Sequence, residues 1–566
     1  MGLRESKDMA LRILDQVCSQ ETDLSASVCI VGAGIAGLIA ATRLARNKRL
    51  RIVVVESGLK SLDPSLSALN EIDNAGDKYR GALLGRSRGL GGTSLIWSGK
   101  LLPLSPHDTL PRPYLDLAGW PFDSAELEPY RQEIEALMGL DSEPYDGDMA
   151  QQQLDPQGLL PRDDIDFCLR WPKRPNRKNH NLAYVFRKEI ERLENLEIWL
   201  GATASHFDFH LDCTKITALS CINHAGKTLR VMANQYLIAA GTLETTRLLL
   251  LADRQSNGSI SRDCDALGRY FNDHLGVDAA IIRPRDNTMT NRILNDRIRL
   301  NSQRHLHFEL RPEVQRKHGI GSAYFEIGSD LPDSSALVTA KQVVQRLKRG
   351  QVAVSYQDIR AILHDSPSLF RAAQWRWMRN HYYWPSNANV YIVIRIEQLP
   401  QWHNRISLSD QKDALQLPKL KLEWKKTDAD EKLFRVMIEK IDRYWKANFS
   451  DVCDLEWKPE VLNSEVGVVN LAMDLAHPAG STRMGTSPSD SVVDPHLRVH
   501  RIENLSVVSA SVFPSSGSAN PTLTIMHLAM RAADAIARQR PSTIPVGRER
   551  RVSKAGRSRI SSIPVP

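Results

Sequence analysis

The sequence of 566 residues lacks the long apolar runs that cross a membrane, since no stretch approaches the ~18 residues that a spanning helix needs. Its first 27 residues are polar and mixed in charge, so a secretory signal is not expected. Hydrophobic residues make up 42% and charged residues 25%, which excludes a fibrous or disordered chain. We therefore expect a cytoplasmic protein with no integral membrane segment.

Cysteine is scarce and scattered. The chain has seven cysteines and no C-x-x-C pair. This spacing is not typical of a zinc site, an iron–sulfur cluster or a disulfide framework. We expect reduced cysteines in a reducing compartment, and no metal site.

The positive charge is concentrated at the C-terminus. Residues 538–566 carry +7 of the net charge of +8, which leaves +1 for the rest of the chain. A nearly neutral body offers no basic face for nucleic acid, so no such partner is expected. The segment is also rich in Ser, Pro and Gly, which predicts a disordered basic tail.

The run from Val28 to Glu56 predicts a strand, a glycine turn, a helix and a second strand. Gly32, Gly34 and Gly37 complete the pattern G-x-G-x-x-G. The first glycine permits a tight turn, the second lets a pyrophosphate approach the backbone, and the third lets helix and strand pack closely. Glu56 ends the second strand, where it could accept hydrogen bonds from ribose hydroxyls. The unit predicts a Rossmann-type dinucleotide site but does not identify the dinucleotide.

A different pattern of mixed helices and strands extends from Arg285 to Leu462. Within it, Asn389–Glu397 predicts a long strand and Lys419–Trp424 its partner. The aromatic cluster between Trp375 and Trp384 could line a pocket, but a role in the core fits it at least as well. This region is the candidate substrate domain.

Two further segments resemble a known family. They are RGLGGTSLIWSG, from Arg88 to Gly99, and Ala476–Ile536, which contains HPAGSTRMG and ANPTLT. With the N-terminal unit they are similar to the glucose–methanol–choline (GMC) family of FAD oxidoreductases, and within it to the pyranose-oxidase and sugar-dehydrogenase branch. The resemblance implies bound FAD and oxidation of a CH–OH group by hydride transfer to flavin N5.

The resemblance also implies roles for individual residues. It places Gly32, Gly34, Gly37 and Glu56 at the ADP moiety. Beside the adenine, the pyrophosphate, the ribityl chain or the flavin ring it places Gly91, Gly92, Thr93, Ser94, Ala204, Asp494, Asn520, Pro521 and Thr522. Ile96 stands where some relatives carry the histidine that links FAD covalently, so FAD is predicted to bind non-covalently.

His477 falls on the catalytic histidine of that family, and Asn520 on its partner. We predict His477 as the general base and Asn520 as the residue that holds the substrate oxygen. The alternatives are a structural histidine before Pro478 and a helix N-cap at Asn520. His274 is expected to be part of the scaffold.

The predicted fold class is α/β, with a Rossmann-type FAD-binding domain and an interpolated α+β substrate domain on a largely antiparallel sheet. Residues 28–105, 190–284 and 463–537 are assigned to the FAD-binding domain, and 106–189 and 285–462 to the substrate domain. Residues 1–27 are assigned to an N-terminal extension and 538–566 to the basic tail.

Two other functions share parts of this pattern. One is a non-redox flavoprotein of the same fold, such as a lyase, and the other is a nicotinamide-dependent dehydrogenase. The loop at Gly91 and the C-terminal block speak against the second. The sequence does not distinguish an alcohol from a sugar as substrate, nor O₂, a quinone or a cytochrome as electron acceptor.

Overall fold

The computed structural model describes residues 10–160, 164–348 and 354–539. Their strands are β1 (Leu11–Ile13), β2 (Glu21–Val31), β3 (Ile52–Glu56), β4 (Ile72–Asn74), β5 (Phe167–Arg170), β6 (Lys173–Arg174), β7 (Leu196–Leu200), β8 (Thr203–Phe209), β9 (Ile216–Ile222), β10 (Thr228–Ile238), β11 (His274–Pro284), β12 (Arg297–Arg299), β13 (Ser302–Arg304), β14 (His307–Leu310), β15 (Ala323–Asp330), β16 (Asn389–Glu397), β17 (Arg405–Lys412), β18 (Pro418–Glu423), β19 (Cys453–Trp457), β20 (Met473–Asp474) and β21 (Leu505–Val507).

The α-helices of the same residues are α1 (Ile35–Ala45), α2 (Pro64–Ser67), α3 (Gly81–Leu84), α4 (Pro106–Thr109), α5 (Glu128–Met138), α6 (Gly147–Leu154), α7 (Leu182–Ile190), α8 (Gly241–Gln255), α9 (Asn287–Leu294), α10 (Pro312–His318), α11 (Ala336–Lys348), α12 (Tyr356–His364), α13 (Ser366–Gln374), α14 (Asp428–Asn448), α15 (Pro459–Leu462), α16 (Val468–Leu471) and α17 (Thr522–Arg538). A π-helical turn, Trp375–Arg379, continues α13. Among the described residues, no helix is both long enough and apolar enough to cross a bilayer.

The first sheet has eight strands in the order β1-β7-β3-β2-β10-β9-β8, with β21 beside β10. The pairs β1–β7, β7–β3, β3–β2, β2–β10 and β10–β21 are parallel. The pairs β10–β9 and β9–β8 are antiparallel. Helix α1 connects β2 to β3, which gives the predicted strand–turn–helix–strand unit. The Rossmann-type prediction is confirmed.

The second sheet has the order β19-β11-β16-β15-β14-β5, with β20 beside β11, and every pair in it is antiparallel. The prediction of a largely antiparallel sheet is confirmed. The predicted partner of β16 is wrong, because β16 lies between β11 and β15 while β18 pairs with β17 and β4. Since β17 and β18 are separated by a short loop, they form a local hairpin instead.

Two segments lie in a different sheet from the one that the predicted boundaries imply. Strand β1 and the start of β2 fall within residues 1–27, yet both belong to the first sheet, where β2 pairs with β10 from Glu21 onward. Strand β11 falls within residues 190–284 but belongs to the second sheet. Of the predicted tail, residues 540–566 lie outside the described residues.

Each large sheet has its own hydrophobic core. One core packs the first sheet against α1 and α17. The other packs the second sheet against α14, with Phe308, Phe325 and Tyr444 in mutual ring contact. The segment around His477 follows β20 and leads back towards the first sheet, so it lies where the two cores meet.

Candidate active site

A cavity of about 420 Å³ lies at the carboxyl ends of the parallel strands of the first sheet. Its lining includes the last residues of β2 and β3 and the residues that follow β10 and β21. In open α/β sheets this edge is where ligands bind. The cavity also reaches His477 and Asn520.

Three helices begin at this cavity, and none of them has a side-chain cap at its N-terminus. They are α1, α8 and α17. The first residues of each helix line the cavity. An uncapped helix start offers free N–H groups and the positive end of the helix dipole, which together favour an anion such as a pyrophosphate.

The glycines of the first turn differ in the room around them. A Cβ on Gly37 would lie 1.8 Å from the carbonyl oxygen of Gly32, and a Cβ on Gly92 2.7 Å from the Cα of Gly34. On Gly34 the nearest atom would be 3.8 Å away. Gly37 and Gly92 therefore allow backbone to pack on backbone, whereas Gly34 leaves open space on the cavity side.

Glu56 is buried at the end of β3 and binds three backbone N–H groups. Its carboxylate accepts hydrogen bonds from Ala33 at 2.8 Å, Gly58 at 2.8 Å and Gly89 at 3.0 Å. Burial raises its pKa, and these N–H groups together with Arg88 oppose that shift. The carboxylate joins the glycine turn to the loop before Gly91, and its edge still lines the cavity.

The backbone of His477 is fixed by a buried carboxylate. Asp273 accepts the N–H of His477 at 2.9 Å and the hydroxyl of Tyr79 at 2.7 Å. Burial, with Asp474 nearby, raises the pKa of Asp273 to about 8. Ala476, just before His477, has a φ of +57°, which is strained for a residue with a side chain. The position of the histidine is thus enforced from several directions.

The hydrogen bonds of two histidines define which nitrogen of His477 carries a lone pair. His274 Nε2 lies 2.8 Å from the carbonyl oxygen of Gly517, which can only accept, so this nitrogen carries the proton. Burial lowers the pKa of His274, so its ring is neutral and its Nδ1 accepts the Nδ1–H of His477 at 3.1 Å. The lone pair of His477 is then on Nε2.

Asn520 lies against this lone pair. Its Nδ2 donates to His477 Nε2 at 3.1 Å. Its Oδ1 is buried and has no hydrogen-bond partner. Unpaired buried acceptors are costly, and this one lies in a residue that lines the cavity. Helix α17 begins at Thr522, its N-cap residue is Pro521, and no side chain caps it, so Asn520 is not the N-cap of this helix.

A second charged group borders the same cavity and was missed by the sequence predictions. Lys100 lines the cavity and pairs with Glu326. Glu326 also accepts from Arg395 at 2.6 Å and from His307 at 3.0 Å. Although burial favours its neutral form, Arg395 and Lys100 hold the pKa of Glu326 well below its usual value.

These residues come from different strands, and the register of the second sheet brings them together. His307 on β14 lies opposite Glu326 on β15, and Arg395 on β16 lies opposite Tyr324. Of these residues, only Lys100 could have been selected from the sequence, because it is a charged residue between the glycine loop and the apolar pair Leu101-Leu102.

Comparison with known proteins agrees with this geometry. The GMC oxidoreductase family model matches residues 400–529, which include His477 and Asn520, and the NAD(P)-binding Rossmann-like domain model matches residues 30–60. The chain belongs to the GMC oxidoreductase family. Members of this family use FAD, so the dinucleotide that the first sheet binds is FAD.

Relatives of this GMC oxidoreductase include a paromamine 6'-oxidase of Streptomyces fradiae, 22% identical over 92% of both chains. The fructose dehydrogenase large subunit of Gluconobacter japonicus is 27% identical over 57% of this chain, a match that spans only half of that subunit. Among solved structures, pyridoxine 4-oxidase from Mesorbium loti shares the fold with a TM-score of 0.56 at 17% identity, covering 90% of this chain and 98% of its own. Formate oxidase from Aspergillus oryzae does so with a TM-score of 0.55 at 18% identity, covering 91% and 98%.

The residues present fit FAD. The three uncapped helix starts suit its pyrophosphate, the space over Gly34 admits it, and Glu56 and Ala204 border the end of the cavity that suits the adenosine moiety. Ile96 also lines the cavity of this GMC oxidoreductase, and its side chain has no sulfur or imidazole nitrogen that could form a covalent bond to FAD.

The structure does not bring every predicted residue of this GMC oxidoreductase to the cavity. Those that line it are His477, Asn520, Gly32, Gly34, Glu56, Gly92, Thr93, Ala204, Pro521 and Thr522. Gly37, Gly91, Ser94 and Asp494 do not line it; the Ser94 hydroxyl donates to Gly91 and accepts from Leu182. The carboxylate of Asp494 instead accepts from the backbone of His496 and Arg498, because it closes a local turn.

Proposed function

We propose that this FAD-dependent oxidoreductase oxidises the CH–OH group of a sugar-like alcohol, with His477 as the general base. One observation carries the proposal: His477 Nε2 and the side-chain amide of Asn520 lie 3.1 Å apart in two residues that line the cavity. An alcohol hydroxyl needs an acceptor for its proton and a second polar atom to fix its orientation. The pair supplies both.

The proton has a defined path. The substrate hydroxyl donates to His477 Nε2, and the amide of Asn520 turns to hold the substrate oxygen. When His477 becomes an imidazolium, its Nδ1–H still donates to His274 Nδ1, while His274 Nε2–H still donates to the carbonyl oxygen of Gly517. His274 thus acts as a positioning residue that fixes the tautomer of the base, comparable to the third member of a catalytic triad. Bound FAD supplies the hydride acceptor.

The base is neutral before substrate binds. Burial, followed by the neighbouring His274 and by Arg395 and Lys100, lowers the pKa of His477 well below its usual value. Because a lowered histidine pKa favours the unprotonated ring, the lone pair is available at neutral pH. The charges of the Lys100–Glu326–Arg395 group therefore influence the pKa of His477.

A polyhydroxylated, sugar-like ring is the proposed substrate. The support is the similarity to relatives named for fructose and paromamine, together with a cavity wall that adds Lys100 to the pair of polar residues. Anaerobic mixing of the purified enzyme with pyranoses, glycosides, choline, methanol and benzyl alcohol tests it by bleaching of the flavin. We expect a sugar-like compound to be fastest; a faster simple alcohol would contradict this substrate class, and no bleaching by any alcohol would favour a non-redox flavoprotein.

Non-covalent attachment of FAD is part of the proposal. Ile96 provides no atom that could form the link. Acid precipitation should release all of the yellow chromophore into the supernatant, and a coloured pellet would contradict this reading.

A cytoplasmic location is also proposed. It rests on the seven cysteines, all of which lie within the described residues and are free. Free, mostly buried thiols are typical of proteins in a reducing compartment. Fractionation of the source cells would test it, and recovery from an oxidising compartment would contradict it.

A further inference from the structure

An unusual share of the exposed apolar side chains lies in one helical segment. This segment, called here the helical surface, consists of residues 336–348 and 354–382 and comprises α11, α12, α13 and the π-helical turn. Of the 25 exposed large hydrophobic side chains in the described ranges, ten belong to it: Val344, Leu347, Val354, Tyr356, Ile359, Leu363, Phe370, Trp377, Met378 and Tyr382. Clustered exposed apolar side chains mark interaction sites, whereas scattered ones need no explanation.

The aromatic cluster predicted from the sequence divides between core and surface. Trp375 and Trp384 are buried, but Trp377 and Tyr356 are each 79% exposed and Phe370 is 73% exposed. Tyr356, Ile359 and Leu363 are spaced three and four residues apart on α12, so they form one stripe along that helix. These side chains are 48–79% exposed.

The helical surface is also strongly basic. Residues 336–348 and 354–382 contain seven Lys and Arg residues and only two acidic residues, a net charge of +5 within a body that is nearly neutral overall. Neither acid is free: buried Asp358 pairs with Arg346 at 2.6 Å, and Asp365 accepts the backbone N–H of Ala336. The exposed cations that form no salt bridge within the described ranges are Lys341, Arg360, Arg371, Arg376 and Arg379.

We propose that the helical surface docks the protein on an anionic lipid membrane. Amphipathic helices that combine exposed Trp, Phe and Leu with Lys and Arg bury their apolar side chains at the lipid boundary while the cations bind lipid phosphates. The anionic surface potential adds roughly five-fold in affinity for each cation near the membrane. The aromatic side chains and the five unpaired cations of this surface provide both contributions.

Charge argues against the occupants that the chain itself could provide. The C-terminal segment 538–566 carries +7, and a second copy would present the same +5 surface. Like charges repel when they approach, so neither is a complementary partner. An anionic lipid surface is complementary in charge and also accepts apolar side chains.

Co-sedimentation of the full-length holoenzyme with lipid vesicles tests the proposal. We expect binding to phosphatidylcholine vesicles that contain phosphatidylglycerol, weakened by salt, and little binding to phosphatidylcholine alone. Phe370→Ser with Trp377→Ser should weaken the binding at least ~10-fold. Arg371→Glu with Arg376→Glu should weaken it more than ~20-fold, at about five-fold for each lost cation. All four side chains are exposed, so the variants should keep their flavin and melting temperature.

Lys48→Glu with Arg49→Glu is the matched control, since both residues are exposed and the net charge changes equally. It should change vesicle binding by less than about two-fold. Four results would overturn the proposal. They are absence of binding to the anionic vesicles, an equal loss in the control, complete loss of binding on deletion of Pro541–Pro566, and dissociation of a dimer by Phe370→Ser with Trp377→Ser.

Discussion

The two walls of the cavity differ in composition, since one is mainly backbone and the other is mainly side chains. The cofactor wall consists mainly of backbone from the first sheet: glycine turns, helix starts and the N–H groups around Glu56. The wall that we propose faces the substrate, called here the substrate wall, consists of side chains, with His477, His274 and Asn520 in one hydrogen-bonded chain and the Lys100–Glu326 pair beside it. In the proposed function, backbone holds the cofactor and side chains determine the chemistry. Changes on the two walls should therefore have separable effects.

The largest effect is expected where backbone packs on backbone. Gly37→Ala would put a Cβ 1.8 Å from the carbonyl oxygen of Gly32, so we expect a loss of about 3 kcal/mol or more in the free energy of unfolding, or no folded protein. Gly34→Ala, whose Cβ would meet nothing closer than 3.8 Å, should fold with a near-normal melting temperature but bind FAD at least ~10-fold more weakly. Thermal unfolding and FAD titration of both variants provide the check. Equal destabilisation by the two alanines would contradict the distinction.

A smaller effect is expected on the substrate wall at His274. His274→Leu removes the acceptor of the His477 Nδ1–H, so flavin reduction should slow by about 10-fold while FAD content is kept. His274→Gln retains an acceptor and should recover part of the rate. Anaerobic stopped flow measures both variants. Equal rates in the Leu and Gln variants would show that the ring serves packing only.

The pH dependence of flavin reduction should be weak above the ordinary histidine pKa. Burial and His274 lower the pKa of His477, so the base stays unprotonated as the pH falls from 9 to ~6.5. The reduction rate should stay level over this range and fall only at lower pH, where His477 takes up a proton. A rate that titrates near pH 7 would mean that the base is more exposed to solvent than this wall implies.

The smallest effect is expected from residues 541–566, which lie outside the described residues. Deletion of Pro541–Pro566 should change the melting temperature by no more than ~1 °C and leave turnover unchanged. Differential scanning fluorimetry and steady-state assays compare the truncated and full-length chains. A loss of several degrees would show that the tail docks on the body.

The difference between the walls also explains what the sequence could predict. The glycine turn, α1 and Glu56 lie within 30 residues of one another, and each residue type has a local mechanical reason, so the Rossmann-type unit was predicted correctly. His477 and Asn520 were predicted from motifs, and both line the cavity. The pairing of His274 with His477 and the meeting of Lys100 with Glu326 depend on sheet register and on contacts across 203 and 226 residues. The partner of β16 was missed for the same reason.

The central claim is that His477 serves the reaction and not the cofactor. Anaerobic stopped-flow reduction of His477→Ala, with FAD content measured on the same sample, tests it most directly. We predict a folded, yellow protein in which substrate reduces the flavin at least ~10²-fold more slowly than in the unmodified enzyme. Asn520→Ala should be slowed less, because it loses a hydrogen bond and not the proton acceptor. Reduction of the His477→Ala variant at the normal rate would contradict the account, and loss of its flavin would show that the residue is structural.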